Sequence, residues 1–194
     1  MEAITDKKKV IFKHTLELVR NHGFHGTTMS MLIKKSGVAA GTIYHYFDSK
    51  DTLIIELHGY IRSKMAAALL EGDDENKNYK DRFVAFWMRQ WQFYTEYPDA
   101  LYFIEQFVNS PYYQRCPEKE NDRCQNIITH FVKTGVDTGI LKPVNYKLMG
   151  IMVHSSVITA AKVKLNNRLE TDEATLRQVV DMVWDGIENR KTVN

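Results

Sequence analysis

The sequence predicts an all-α fold of about nine helices, and three observations carry that prediction. Apolar residues recur at three- and four-residue spacing from Ile11 to Ile187. No segment alternates apolar with polar residues as a half-buried strand would, and no internal repeat stands out. Polar, glycine or proline breaks separate the periodic segments. With 194 residues and 44% hydrophobic content, the chain has room for one large or two small domains and a substantial core.

The first expected helix carries Ile11, Phe12, Thr15, Leu18 and Val19 on one face and reaches Gly23-Phe24. The stretch from Thr27 to Lys50, TTMSMLIKKSGVAAGTIYHYFDSK, then reads as two short helices with a tight turn between them. Leu32 and Ile33 give the first an apolar edge, and Ser36-Gly37-Val38 forms the corner. Gly37 suits a corner because it adopts positive φ without a Cβ clash. The second opens on the small residues Ala39-Ala40-Gly41 and ends in Ile43, Tyr44, Tyr46 and Phe47. A slim leading end followed by Thr42, Tyr44 and His45 is what a helix needs to enter a DNA major groove. The pair is therefore a candidate helix-turn-helix.

Ser49 caps a fourth helix with Leu53, Leu57, Ile61 and Met65 on its face, broken by Gly72-Asp73-Asp74. Phe83, Phe86, Trp87, Gln90, Trp91 and Tyr94 mark a fifth, stopped near Pro98, and Leu101, Ile104, Phe107 and Val108 a sixth, closed by Ser110-Pro111. Ile127, Ile128, Phe131, Val132 and Val136 define a seventh, ending around Gly139. Leu148, Ile151, Met152, Ser155 and Ile158 define an eighth. Thr171 caps the ninth, with Leu176, Val179, Val180, Val183 and Ile187 along one face.

Residues 8 to 53 resemble the DNA-binding domain of the TetR (tetracycline repressor) family of bacterial transcriptional regulators. The resemblance rests on an ordered set: the first amphipathic helix, Gly23-Phe24, Thr27-Thr28, Gly37-Val38, GTIYHYF at 41–47, and Ser49-Lys50 with Leu53. It covers about a quarter of the chain. Three positions depart from the family pattern, in two ways. Ile33 replaces a usually small residue, and Ser30 and Ala40 replace longer DNA-contacting side chains, which shifts the load to phosphates and DNA shape.

The resemblance implies a DNA-binding domain at 5–65, with the motif at about 28–47, and a helical effector-binding and dimerisation domain at 66–194. It implies DNA contacts by Thr28, Ser30, Ala39, Ala40, Gly41, Thr42, Tyr44, His45 and Lys50. Tyr44 and Lys50 are expected on phosphates, and the small residues with Thr42 and His45 near base edges. A double-stranded operator, a second copy of the chain and a small-molecule effector are the implied partners, with repression as the mode of action.

Charge distribution fits this expectation. The net charge is +2, but residues 1–50 carry +4 and the remainder −2. Lys7 to Lys9 read equally well as a solvated terminus. No run of about 18 apolar residues is present, so no membrane partner is expected. The first residues lack the apolar middle of a secretion signal, and a cytoplasmic location is expected. Cys116 and Cys124 then read as free thiols. There is no glycine-rich phosphate loop, nucleophile elbow, HExxH or histidine pair at i, i+4, so neither an enzyme, a cofactor nor a metal is expected. A catalytic site assembled wholly by the fold stays open, as does an interaction module that uses the motif for protein contacts.

Residues 83–113 contain twelve aromatics, an excess too large for one buried stripe. Two readings stand side by side, ordinary core or an aromatic-lined chamber. Given the family resemblance, the chamber's candidates are Phe86, Trp87, Gln90, Trp91, Tyr94, Phe103, Phe107, Phe131 and His154, for a largely apolar ligand. The last two helices have apolar residues around most of their circumference and need cover on both sides. The resemblance implies a homodimer there, with Ile151, Ile158, Leu176, Val180, Val183 and Ile187 as candidates.

Overall fold

The computed structural model describes residues 5–116 and 122–190. These form ten helices: α1 Asp6–Gly26, α2 Met29–Ser36, α3 Ala40–Tyr46, α4 Lys50–Leu70, α5 Tyr79–Glu96, α6 Pro98–Val108, α7 Pro111–Arg115, α8 Arg123–Asp137, α9 Tyr146–Leu165 and α10 Glu173–Ile187. The all-α class is borne out. Among the described residues the one β-type contact is an isolated bridge between Leu141 and Glu188. The helix beyond the expected nine is α7. Pro111 ends one helix and also occupies the first turn of the next, where its missing N–H costs nothing.

The chain packs as two compact units, one from Met1–Ile61 with Pro98–Glu120 and one from Arg62–Tyr97 with Asn121–Asn194, as far as these are described. A single boundary near residue 65 was expected, but α6 and α7 pack with the helix-turn-helix. The reason is Phe24. α1 bends at Gly23 (φ 65°, ψ 177°), and the Phe24 ring then lies edge-on to Phe103 and Tyr112, each at 5.3 Å, and to Phe107 at 6.5 Å. The rest of this unit's core comes from the expected apolar faces, with Ile11, Phe12, Val19, Leu32, Ile43, Phe47 and Leu53 all buried.

In the second unit α5, α8, α9 and α10 pack together. Phe83, Phe86 and Trp87 of α5 are buried with Ile128 and Phe131 of α8, Val153 and Val157 of α9, and Val180 and Trp184 of α10. Gly135 of α8 lets Tyr79 and Leu141 pack against that helix, because a Cβ there would sit 2.5 Å from the Tyr79 hydroxyl and 2.6 Å from Leu141.

Candidate nucleic-acid interface and effector region

The helix-turn-helix is locked by its inward side chains and leaves its outward ones to solvent. Leu32 on α2, Ile43 on α3 and Phe47 after it are 1%, 0% and 0% exposed. Gly37 closes α2 in the left-handed conformation (φ 66°, ψ 6°), with its N–H bonded to the Ile33 carbonyl. No neighbour lies within 4 Å of a Cβ built there, so backbone conformation alone favours glycine. Ala39, Ala40, Gly41, Tyr44 and His45 are exposed and Thr42 is half-buried. The candidate base-reading residues thus share one face of α3, whose opposite face is core.

Thr28 caps α2 by accepting the Met31 N–H at 3.2 Å, and its hydroxyl lies 3.0 Å from that of Ser30. Both residues are exposed at the start of the helix. Lys50 is engaged within the protein. Its ammonium donates to the carbonyls of Phe24 at 3.0 Å and Thr27 at 3.2 Å, closing the end of α1. Lys8 is engaged as well, 2.5 Å from Glu56 and above the Phe47 ring. Ile33, the bulky residue of the motif, is half-buried.

The second unit holds a polar cluster among its aromatics. Gln90 and Tyr94 on α5 are 1% and 0% exposed and face His154 of α9. His154 Nδ1 lies 2.8 Å from the Gln90 amide oxygen, which only accepts, so Nδ1 carries the proton. Nε2 is then the acceptor for the Tyr94 hydroxyl at 3.2 Å. Burial, aided by the nearby Arg62 charge, pushes the His154 pKa down to about 4 and keeps the ring neutral. Trp87 donates its indole N–H to Ser156 at 2.9 Å. Phe86 stacks on Phe131 with centroids 5.1 Å apart, and Tyr79 stacks on the same ring.

The chamber candidates therefore fall into two groups. Phe86, Trp87, Gln90, Trp91, Tyr94, Phe131 and His154 belong to the second unit. Phe103 and Phe107 belong to the first, where Phe107 stacks 4.0 Å from His58 and Phe103 meets Phe24. Within the second unit Phe86 meets Phe131, and Gln90 and Tyr94 meet His154, while the Trp91 indole nitrogen is buried with no hydrogen-bond partner among the described residues. A groove of about 760 Å³ lies elsewhere in that unit, lined by Lys64, Glu71, Arg89, Gln92, Phe93 and Tyr97 among others.

Sequence reasoning missed Arg62. Its side chain is only 12% exposed and its Nε lies 2.7 Å from Asp122 Oδ2. The signal was present, since Arg62 sits four residues after the buried His58 and three before the buried Met65, on the apolar stripe of α4. Both cysteines are free and buried, and burial pushes the Cys124 thiol up to about 11. Among the described residues no group of three or more His, Cys, Asp or Glu could hold a metal.

The dimer candidates also divide. Leu176 and Val180 are 3% and 0% exposed in the single chain, so they belong to its own core rather than to an open face. Val183, Ile187 and Ile158 are half-buried, and Ile151 is exposed. The open apolar face is on α9, where Leu148, Ile151 and Met152 follow one stripe, with Met182 exposed on α10. The same face explains why α9 is long and apolar enough to cross a membrane by length and composition alone, although only 28% of its most apolar window is buried. The sequence predicts no such segment, because Lys147, His154, Ser155 and Ser156 interrupt its apolar run.

Comparison with known proteins agrees with this anatomy. Residues 11–57 match the model of the bacterial regulatory proteins of the tetR family, and residues 78–188 match a tetracyclin repressor-like C-terminal domain. An HTH-type transcriptional regulator of Haemophilus influenzae is 26% identical over 191 residues, covering 96% of this chain and 98% of its own. The crystal structure of a TetR-family transcriptional regulator from Haemophilus influenzae Rd superposes with a TM-score of 0.80 at 26% identity, covering 94% of this chain and 97% of its own. FadR from Bacillus subtilis, solved in complex with stearoyl-CoA, shares the fold with a TM-score of 0.76 at 19% identity, covering 93% and 99%. With an exposed reading helix in the first unit and the C-terminal model spanning more than half its length, the chain belongs to the TetR family of DNA-binding transcriptional regulators.

Proposed function

We propose that the chain is a dimeric repressor of the bacterial cytoplasm that reads a palindromic operator with α3 of each protomer and leaves it when a small molecule enters the second unit. The observation that carries the DNA half of this reading is the geometry of α3. Ile43 and Phe47 pin the helix, while Gly41, Tyr44 and His45 face outward beside Thr42. Two such helices one DNA turn apart, ~34–36 Å, read two half-sites. Dimerisation through the exposed stripe of α9 supplies that twofold symmetry. An effector acts only through its differential affinity for the bound and released conformations. FadR, which holds stearoyl-CoA on the same fold, supports an effector with a large apolar part.

Fragments of the source genome selected by the purified protein should converge on a short inverted repeat protected as two adjacent half-sites. Recovery of unrelated sequences with no shared repeat would overturn the operator reading. A second reading has its own support. The stacked Phe86, Phe131 and Tyr79 rings and the paired Gln90, His154 and Tyr94 fill the region, as a regulator without an effector would have it.

A further inference from the structure

Arg62 lies beside the Tyr94 and His154 pair, since its Nη1 and the Tyr94 hydroxyl both reach the Met65 thioether, at 4.0 and 3.8 Å. Of its five N–H donors, Nε meets Asp122 at 2.7 Å, and Nη1 meets only the Met65 thioether at 4.0 Å. Among the described residues these are its recorded acceptors. A guanidinium normally grips a carboxylate with two parallel hydrogen bonds. Here a single donor, Nε, grips the Asp122 carboxylate, in a position 12% exposed, so the paired geometry is left open to a second carboxylate. The surroundings suit an organic acid. The Tyr94 hydroxyl and His154 lie close enough to feel the Arg62 charge, and the same unit buries the apolar side chains Phe86, Trp87 and Phe131.

Asp122 has a second task that makes it exchangeable. Its Oδ1 caps α8 by accepting the Gln125 N–H at 3.0 Å, while Oδ2 takes the Arg62 bond. An incoming carboxylate could take over Arg62 and leave Asp122 as a cap alone. Such an exchange frees the start of α8 from α4.

We infer that the effector is an amphiphilic carboxylic acid whose carboxylate displaces Asp122 from Arg62 while its apolar body lies among the aromatic side chains. This rests on the effector half of the proposed function and narrows it to a chemical class. Exchange also explains how side chains that pack together could still admit a ligand.

The test compares matched acids and alcohols on the full chain at neutral pH, with decanoate against decan-1-ol and 2-naphthoate against 2-naphthalenemethanol. Binding is read from the fluorescence of Trp87, Trp91 and Trp184. At least one acid should bind at least about tenfold more tightly than its alcohol, as expected for a charge-assisted pair. Arg62→Gln should abolish that preference while leaving alcohol binding within about twofold. Asp122→Asn keeps a good helix cap and removes the competing charge, so acid affinity should rise about tenfold with alcohol affinity unchanged. This second variant carries the test if Arg62→Gln does not fold.

Equal binding of acid and alcohol by the wild type, or an Asp122→Asn variant that binds the acids no more tightly, would overturn the inference. Alcohols that bind and release operator DNA in that case would leave the effector reading standing. No binding by any of the four compounds, with operator binding intact, would also overturn the inference, and the effector reading would then stand or fall on ligands of other classes.

Discussion

Lys50 ties its ammonium to two carbonyls at the end of α1, so its first effect is on the protein rather than on DNA. Replacing it with alanine leaves those carbonyls to water and should destabilise the DNA-free protein by about 1–2 kcal/mol. The same variant should weaken binding to all DNA sequences alike, because the end of α1 leads directly into α2. Urea denaturation without DNA separates the cases: unchanged stability with a lower salt slope of binding would make Lys50 a phosphate ligand alone. His154 offers a pH test. Its folded pKa is about 4 against an ordinary value of 6.5, so between those values the unfolded chain binds the extra proton. Its contribution is complete above pH 6.5 and is lost as the pH falls toward 4. Between pH 7 and pH 5 the loss should be about 1–2 kcal/mol, and His154→Gln should remove most of that dependence. An unchanged pH profile in the variant would mean that the ring is already protonated or exchanges freely with water.

At the level of elements, α3 separates reading from holding. Thr42→Ala and His45→Ala should alter which operator bases are preferred, by up to about 1–3 kcal/mol per contacted base, and leave stability nearly untouched. Gly37→Ala should do the reverse. Placing a Cβ on a left-handed residue costs about 1–2 kcal/mol, lowering the denaturation midpoint without changing base preference in the protein that remains folded. Selection of operator variants by each mutant would check this, and a changed preference in Gly37→Ala would show that the corner also sets the pose of α3. These elements were legible in the sequence because their determinants are local. Gly37 terminates a helix four residues beyond Ile33, and Ile43 and Phe47 are one turn apart. What was not legible was pairing over distance. Phe24 meets Phe103, and Arg62 meets Asp122, through folds of the chain that no periodicity encodes. The aromatic excess at 83–113 was visible, but the division of its rings between two units was not, since Phe103 and Phe86 carry the same local signal.

For the whole molecule, the proposed second copy is the property to test. An all-round apolar α9 resolves into a buried side, with Met149, Val153, Val157 and Ala161, and an open side, with Leu148, Ile151 and Met152 at 58%, 59% and 65% exposure. Side chains already in water cost little to change in the isolated protomer, so a charge on the open side tests association without disturbing the core. A charge at Val180, by contrast, would sit at a fully buried position and unfold the chain before it reported on assembly. Ile151→Glu and Met152→Glu should each convert a dimer at micromolar concentration into a monomer whose thermal stability as a protomer is little changed. A stable interface of this kind needs about 1,200–2,000 Å² of buried surface, and two like charges facing each other across a twofold axis would be repeated in both subunits. Operator affinity should fall steeply with dissociation, since each half-site alone binds weakly, while the affinity of a single half-site stays the same. Sedimentation velocity beside DNA titration decides the matter. A wild-type monomer at micromolar concentration, or charged variants that remain dimeric and bind operator normally, would place the contact between subunits elsewhere and leave the open face of α9 to another partner.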